Sequence, residues 1–551
     1  MDSSSYLTAV ALGVGAHLIF QTFNPDFHLL PLLLVYFGGW GVLVWILKQF
    51  APSILSALLH AGILNSVFTL AFTTSLIVYR LFFHRLHNFP GPLQARLSRL
   101  YLVARTYRSL QLHVELERLH QRYGDFVRTG PREVSILRPS AIPAIYSRNS
   151  RCRKSLWYAH VSDNPRQVSL HMGRDPEIHH LRRKIWDKAL NMKGDDTAKL
   201  AYESAIVQKA ASMVQQIRRL MRKDGSVDAA HWSSLFASDV MGIVGFGDNF
   251  HQVDCGQEHP AIANLHQSME FLGRWTPTPW VIGLLASLPG AAKKHSSFLK
   301  HTSRLVEAKL KAWQNNDGQP SQDILSWLIS AMKDNDPGKP PTIEALHEDG
   351  RLVVIAGSDT LSSTLAHALY YLTAYPNEYK KLQQALYNHL TRANGTTEWS
   401  TLGSISYLDA IIQETLRLRP AAPSGQPRVT PPEGIQIDEV WVPGNVNVVV
   451  PQHVLHRDER FFPRGEEFLP QRWVDGDVSR DAFFPFGSGP RACVGKRLAM
   501  VELRIILAHI ALNFDLEFAD EKAAKAFITQ GKDTVTYTVP PLPLFFHDRK
   551  M

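Results

Sequence analysis

FFPFGSGPRACVG, from Phe483 to Gly495, is the stretch on which the reading of this 551-residue chain turns. It sets Phe486, Gly489, Arg491, Cys493 and Gly495 in the pattern F-x-x-G-x-R-x-C-x-G, followed by a helix-compatible run from Lys496. Five fixed positions of these types coincide by chance about once in several million placements, so composition alone does not explain the pattern. Its chemistry is that of a protected thiolate. Glycines let the backbone approach the sulfur, a helix start aims N–H dipoles at it, and an aromatic ring keeps water away. The arginine offers a fork of donors to an anionic group nearby. The competing reading, a buried structural cysteine in a Gly-Pro loop, depends on whether the rest of the chain carries matching features.

Working outward, Glu414 and Arg417 form E-x-x-R in a helical run from Asp409 to Leu418, a spacing that puts acid and base on one helix face. Phe468-Leu469-Pro470-Gln471-Arg472-Trp473 follows. A long helical run from Ile343 contains Ala356-Gly357-Ser358-Asp359-Thr360, and His179-x-x-x-Arg183 precedes Trp186 in another. Taken singly, such an acid–base pair decorates a solvated face, and a mid-helix Asp-Thr faces water or bonds back to a carbonyl. In this order and with these separations, together with the cysteine loop, they resemble the cytochrome P-450 family of haem-thiolate monooxygenases.

The resemblance implies a mainly α fold with small β-sheets, the P-450 fold, preceded by a helical membrane anchor. It implies haem b (iron protoporphyrin IX) with an axial thiolate from Cys493, seated by Phe486, Gly489 and Arg491. Arg183, His179 and Arg428 become candidate haem-propionate contacts, although family members often have Trp where His179 stands. Glu414, Arg417 and Arg472 become the structural lock of the proximal core, with Gln471 where an acid is common. Asp359 and Thr360 become the residues that relay protons to bound dioxygen, with Gly357 letting the helix widen there. The partners implied are a separate NADPH-dependent flavoprotein reductase and a hydrophobic small-molecule substrate. Lys496 and Arg497 read either as part of a basic docking face or as a solvated helix face. Similarity extends to microsomal enzymes of filamentous fungi that tailor secondary metabolites. The rival functions are a haem-thiolate isomerase or dehydratase, against which the Asp359-Thr360 pair argues, and a non-catalytic membrane haem or ligand-binding protein.

Composition agrees with this frame. Hydrophobic residues make up 45% and charged residues 20%, enough to bury a large core, and three cysteines are too few for a disulfide framework. A formal charge of +9 is spread along the chain and mixed with acids, unlike the concentrated stripe of a nucleic-acid binder. The first 88 or so residues are nearly uncharged, and Tyr6–Phe20, Leu29–Leu47 and Ile54–Phe83 are apolar stretches. The second and third are long enough to cross a bilayer; the first reads as a span, an interfacial segment or a signal-like region. Arg80, Arg85, Arg96 and Arg99 follow, which places the remainder in the cytosol, and the expected location is the endoplasmic reticulum membrane. The expected division is an anchor over 1–88, a proline hinge over 89–92 and a catalytic domain over 93–551.

Elsewhere, helical periodicity dominates Arg96–Tyr123, Ala198–Arg222, Phe298–Asn315 and Met500–Asn513, with strands expected in Phe126–Leu137, Ile435–Val450 and Thr534–Phe546. Gly245-Phe246-Gly247-Asp248 reads as a helix end rather than a dinucleotide loop. The apolar Phe271–Pro289 region reads either as a membrane-dipping substrate entrance or as core, and Cys152–Val168, Phe271–Leu288 and the helix before Gly357 are expected to line the substrate pocket. The 24 histidines show no zinc-type spacing.

Overall fold

A computed structural model describes residues 3–22, 29–161, 164, 166–190, 196–286, 293–315, 323–392 and 399–549. The uncharged opening folds as α1 (Ser3–Thr22), α2 (Leu29–Lys48) and α3 (Ile54–Val78), the last continuing through a π-turn to Phe83. All three are long and apolar enough to cross a bilayer. Leu7, Leu34, Val35, Trp45 and Leu70 are exposed, an arrangement that lipid favours and water opposes. Between helices small, polar and aromatic contacts combine, among them Phe20 edge-on to Phe72 at 5.6 Å. Gly13 lets α1 approach α3 so closely that a Cβ would lie 2.5 Å from the Phe68 carbonyl oxygen. His17 Nδ1 meets Ser75 Oγ at 2.7 Å, and Asn65 Nδ2 donates to the Tyr36 hydroxyl at 2.8 Å. Such contacts hold helices together in lipid, where apolar surface gains nothing by leaving its solvent.

The chain leaving this bundle is braced against the first sheet. Arg128, on β1 (Phe126–Gly130), is fully buried and donates to the carbonyls of Arg80 at 3.1 Å and Pro131 at 2.9 Å. Its backbone N–H donates to Pro90 O at 2.7 Å, and Arg85 Nη1 reaches Gly444 O at 2.7 Å. The Phe89–Pro92 segment therefore runs along β1 with its polar groups engaged.

The sheet itself has β1, β2 (Glu133–Ile136), β3 (Arg153–Lys154), β4 (Arg428–Val429) and β5 (Asn447–Val449), in the order β1-β2-β5-β4-β3. The β2–β5 pair is parallel and the others antiparallel. Its register sets Lys154 directly opposite Arg428, two like charges that ordinary sheets avoid.

The remainder is mainly helical, as the sequence indicates. The elements that build the site are α4 (Pro176–Leu190), α5 (Ala229–Met241), α6 (Pro260–Trp275), α7 (Pro279–Ala286), α8 (Lys293–Asn315), α9 (Ile343–Ala374), α10 (Ser406–Leu418) and α11 (Lys496–Asn513). Helix α9 starts where Thr342 accepts the Ala345 N–H at 3.2 Å. By composition it too could cross a membrane, but 61% of its apolar window is buried, which makes it the axis of the soluble core. The helical stretch from Arg96 to Tyr123 is broken into pieces at 93–97, 100–106 and 112–123, and Leu110 turns the chain at φ +56°. Gly247, at φ +69°, ends the turn after α5, so the Gly245–Asp248 segment is a helix terminus. Residues 162, 163 and 165 of the expected pocket segment, and 287–289 of the expected entrance, lie outside the described residues.

Candidate active site

The cysteine loop is shaped by its glycines. Gly487 and Gly489 have φ of +71° and +69°, and a Cβ on Gly489 would sit 2.0 Å from the Tyr146 carbonyl oxygen. Only glycine fits there. The loop closes where Cys493 N–H donates to Phe486 O at 2.8 Å. Immediately afterwards α11 begins, and the N–H groups of Gly495 and Lys496 point at the thiol. Burial raises the Cys493 pKa, while those amides and the charges of Arg183 and Lys496 pull it down. The residue nonetheless keeps accessible surface. Phe486 packs half-buried beside it, with Lys496 Nζ 5.6 Å from its ring centre.

Behind the loop lies a saturated ionic lattice. Glu414 and Arg417 are fully buried and meet through two bonds of 2.8 Å. Glu414 also accepts from Arg472 Nε at 3.2 Å, Trp473 Nε1 at 2.8 Å and Leu469 N at 2.9 Å. Arg417 donates further to the carbonyls of His456, Gly465 and Glu467. Because every donor and acceptor has a partner, the desolvated charges are tolerated. The lattice reaches the cysteine loop through the Trp473 ring, 4.5 Å centre to centre from Phe483. Gln471 is exposed and bonds only Asp475, so the missing acid lies outside the lattice.

A second charge cluster is unbalanced. Lys154 and Arg428 are buried across the β3–β4 pair, and Arg491 is close enough to depress the Lys154 pKa further, which burial already holds well below its usual value. Arg491 itself is lowered to about 10, first by burial and then by Arg428. Their partners are neutral: Lys154 donates to His171 O, and Arg491 donates to Gly173 O at 2.6 Å and Arg174 O at 3.0 Å. None of the three forms an ion pair with a carboxylate among the described residues. His179 adjoins this cluster and is kept neutral, its pKa held at about 3 by burial and by Arg491 and Lys154. Arg183 pairs with Asp187 at 2.9 Å and donates to Ala492 O at 2.6 Å, so it braces the backbone of the cysteine loop. Lys154 escaped the sequence reading; its only local signal is the basic run Arg151, Arg153, Lys154.

Helix α9 brings the remaining residues. In the middle of the helix, Leu352, Ile355, Ala356, Asp359 and Thr360 keep accessible surface, a stripe at helical spacing. On the other side, Gly357 meets α5: a Cβ there would fall 2.0 Å from Met241 Sδ. The helix stays α-helical from Ile343 to Ala374, so Gly357 admits a close neighbour instead of widening the helix. Thr360 Oγ1 donates to Ala356 O at 2.6 Å, and Asp359 Oδ1 lies 3.3 Å from His266 Nε2 on α6.

These residues fit a haem. An accessible thiol under converging amides suits an iron ligand, buried cations lacking acids suit its propionates, and an open helical stripe suits a reacting face. Fold and site together define a haem-thiolate protein. The Cytochrome P450 family model matches residues 90–544. The chain is 33% identical over 559 residues, 100% of its length and 98% of the relative's, to cytochrome P450 monooxygenase FCK2 of Fusarium pseudograminearum. It is 36% identical over 478 residues (86% of this chain, 94% of the relative) to cytochrome P450 monooxygenase orf5 of Eupenicillium brefeldianum. To tryprostatin B 6-hydroxylase of Aspergillus fumigatus it is 30% identical over 525 residues, covering 93% of this chain and 91% of that one. The chain belongs to the cytochrome P450 family and is a haem-dependent monooxygenase.

Proposed function

We propose that this protein hydroxylates, or oxidises in a closely related way, a hydrophobic small molecule of fungal secondary metabolism. It works at the endoplasmic reticulum membrane with its catalytic domain, residues 93–551, on the cytosolic face, and takes electrons from a separate NADPH-dependent flavoprotein reductase. The observation that carries this reading is the accessible Cys493 residue just before α11, set in the same domain as a cation cluster without ion pairs among the described residues and the partly open stripe of α9. The basic residues after α3 support the cytosolic side. Exposed Lys496 and Arg497, in the first turn of α11, supply positive charge for reductase docking.

Haem bound here would supply reductive activation of dioxygen, chemistry that side chains cannot provide. The chain does the rest. Cys493 would hold the iron, and Lys154, Arg428 and Arg491 would hold the propionates, relieving their own repulsion. Arg183 keeps the cysteine loop in place through Ala492 O. Phe486 limits water at the sulfur. Asp359 and Thr360, at the edge of the α9 stripe, move protons: Thr360 Oγ1 turns its O–H from Ala356 O to an acceptor beside it and gives up that proton, while the Asp359 carboxylate takes up a proton from solvent and passes it on to Thr360 Oγ1.

The test is reconstitution of the full chain in membranes with a fungal reductase and NADPH, using labelled dioxygen and a panel of apolar metabolites headed by tryprostatin B. Product carrying one labelled oxygen, with matched NADPH consumption, supports the proposal. Product formed without label, or ligand binding without turnover anywhere in the panel, contradicts it.

A further inference from the structure

Helix α6 carries a histidine whose two ring nitrogens both face carboxylates. His266 Nε2 lies 3.3 Å from Asp359 Oδ1, and Nδ1 lies 3.2 Å from Glu258 Oε1. A carboxylate only accepts, so both contacts are satisfied together only by an imidazolium, which donates from both nitrogens. The site is sheltered: the side chains are 31%, 13% and 19% exposed for His266, Asp359 and Glu258. Burial alone would lower the His266 pKa, but the bonds and charges of Asp359 and Glu258 outweigh it and hold the value at about 10.

The other charged groups near this seam do not compete for the bridge. Lys294 on α8 bonds Gln267, and Arg351, two turns earlier on α9, bonds Glu348 and Ser303. His259 and His301 stack on each other at 3.9 Å, and burial lowers both pKa values, that of His301 to about 4. Both are neutral at neutral pH. Asp359 is thus tied to α6 by one charged link, and α6 leads directly into the apolar α7.

We propose that His266 is the positioning residue for Asp359: bridged to Glu258, it fixes the carboxylate at the α6–α9 seam, beside the open stripe of α9, and so governs proton delivery. This rests on the reading of Asp359 as a proton-relay residue. Glu258 anchors the imidazolium at the nitrogen opposite Asp359, so the charges run carboxylate, imidazolium, carboxylate across the seam.

The experiment compares His266→Ala, His266→Arg, Glu258→Gln and Asp359→Asn in the full-length, haem-loaded protein reconstituted with reductase. Three quantities are read: the share of NADPH electrons recovered in product rather than hydrogen peroxide, the solvent deuterium isotope effect on product formation, and hydrogen exchange of α6 amides in the resting protein. His266→Ala should lose coupling severalfold, approach Asp359→Asn, enlarge the isotope effect and speed α6 exchange severalfold. His266→Arg should restore most of all three, because a guanidinium can bridge both acids. Glu258→Gln should fall between Ala and wild type. If His266→Ala and Glu258→Gln keep wild-type coupling and isotope effect while Asp359→Asn loses them, the positioning role is overturned and the Asp359 reading stands. If Asp359→Asn itself behaves as wild type, both fall.

Discussion

On the cysteine side, the buried Glu414–Arg417–Arg472 lattice satisfies its charges through fixed partners, whereas on the α9 side Asp359 hangs on a single histidine and Thr360 bonds only its own helix. The first arrangement fixes a geometry: the lattice holds the loop that presents a sulfur. The second leaves room for groups to exchange partners as substrate and protons arrive. The same contrast appears in packing, since Trp473 and Phe483 interlock beneath the loop while the α9 stripe is only partly buried. A site that must hold an iron steadily and still move protons needs both kinds of construction.

Breaking the lattice should have the largest effect. Glu414→Gln leaves Arg417 and Arg472 without their buried acid, a loss of about 3–5 kcal/mol. Expression of haem-loaded protein should collapse, read as haem content per polypeptide and thermal unfolding. Next comes the cation cluster. Arg491→Ala removes one charge-assisted contact worth about 1.5–3 kcal/mol, so haem transfer to an apoprotein acceptor should speed up by about 10–100-fold while the fold persists.

Gly357→Ala sharpens the comparison on the α9 side. The new methyl meets the Met241 thioether, a flexible neighbour, and overpacking of this kind costs about 1–3 kcal/mol. Thermal denaturation should show that loss, and adding Met241→Ala should recover part of it, as coupled neighbours do. The smallest change is Gln471→Glu. It restores the acid the family commonly has, yet the residue is exposed and bonds only Asp475, so stability should stay within about 0.5 kcal/mol.

What was legible in the sequence is what the chain encodes locally. Gly489, Arg491 and Cys493 lie within five residues, and their spacing alone dictates a turn that opens a helix. Glu414 and Arg417 share a helical face for the same reason. The elements that escaped depend on contacts between distant segments. Lys154 joins Arg428 through a strand pairing, His266 meets Asp359 across 93 positions, and the role of Gly357 depends on a methionine from α5. Arg183 was legible as a residue but not as a loop brace, because its Ala492 partner is set by how α4 packs beside the cysteine loop. The first apolar stretch was ambiguous alone; it folds as a helix whose Gly13 and His17 pack on α3.

The most direct test of the central claim, that Cys493 provides a thiolate to haem iron, is the reduced, carbon-monoxide-minus-reduced absorbance spectrum of the membrane-expressed protein. It should be recorded beside Cys493→Ala. A Soret band displaced far to the red in the wild type and absent from the variant is the predicted result. A haem-loaded, folded wild type whose band lies at the position of a histidine-ligated haem, unchanged in Cys493→Ala, would contradict it.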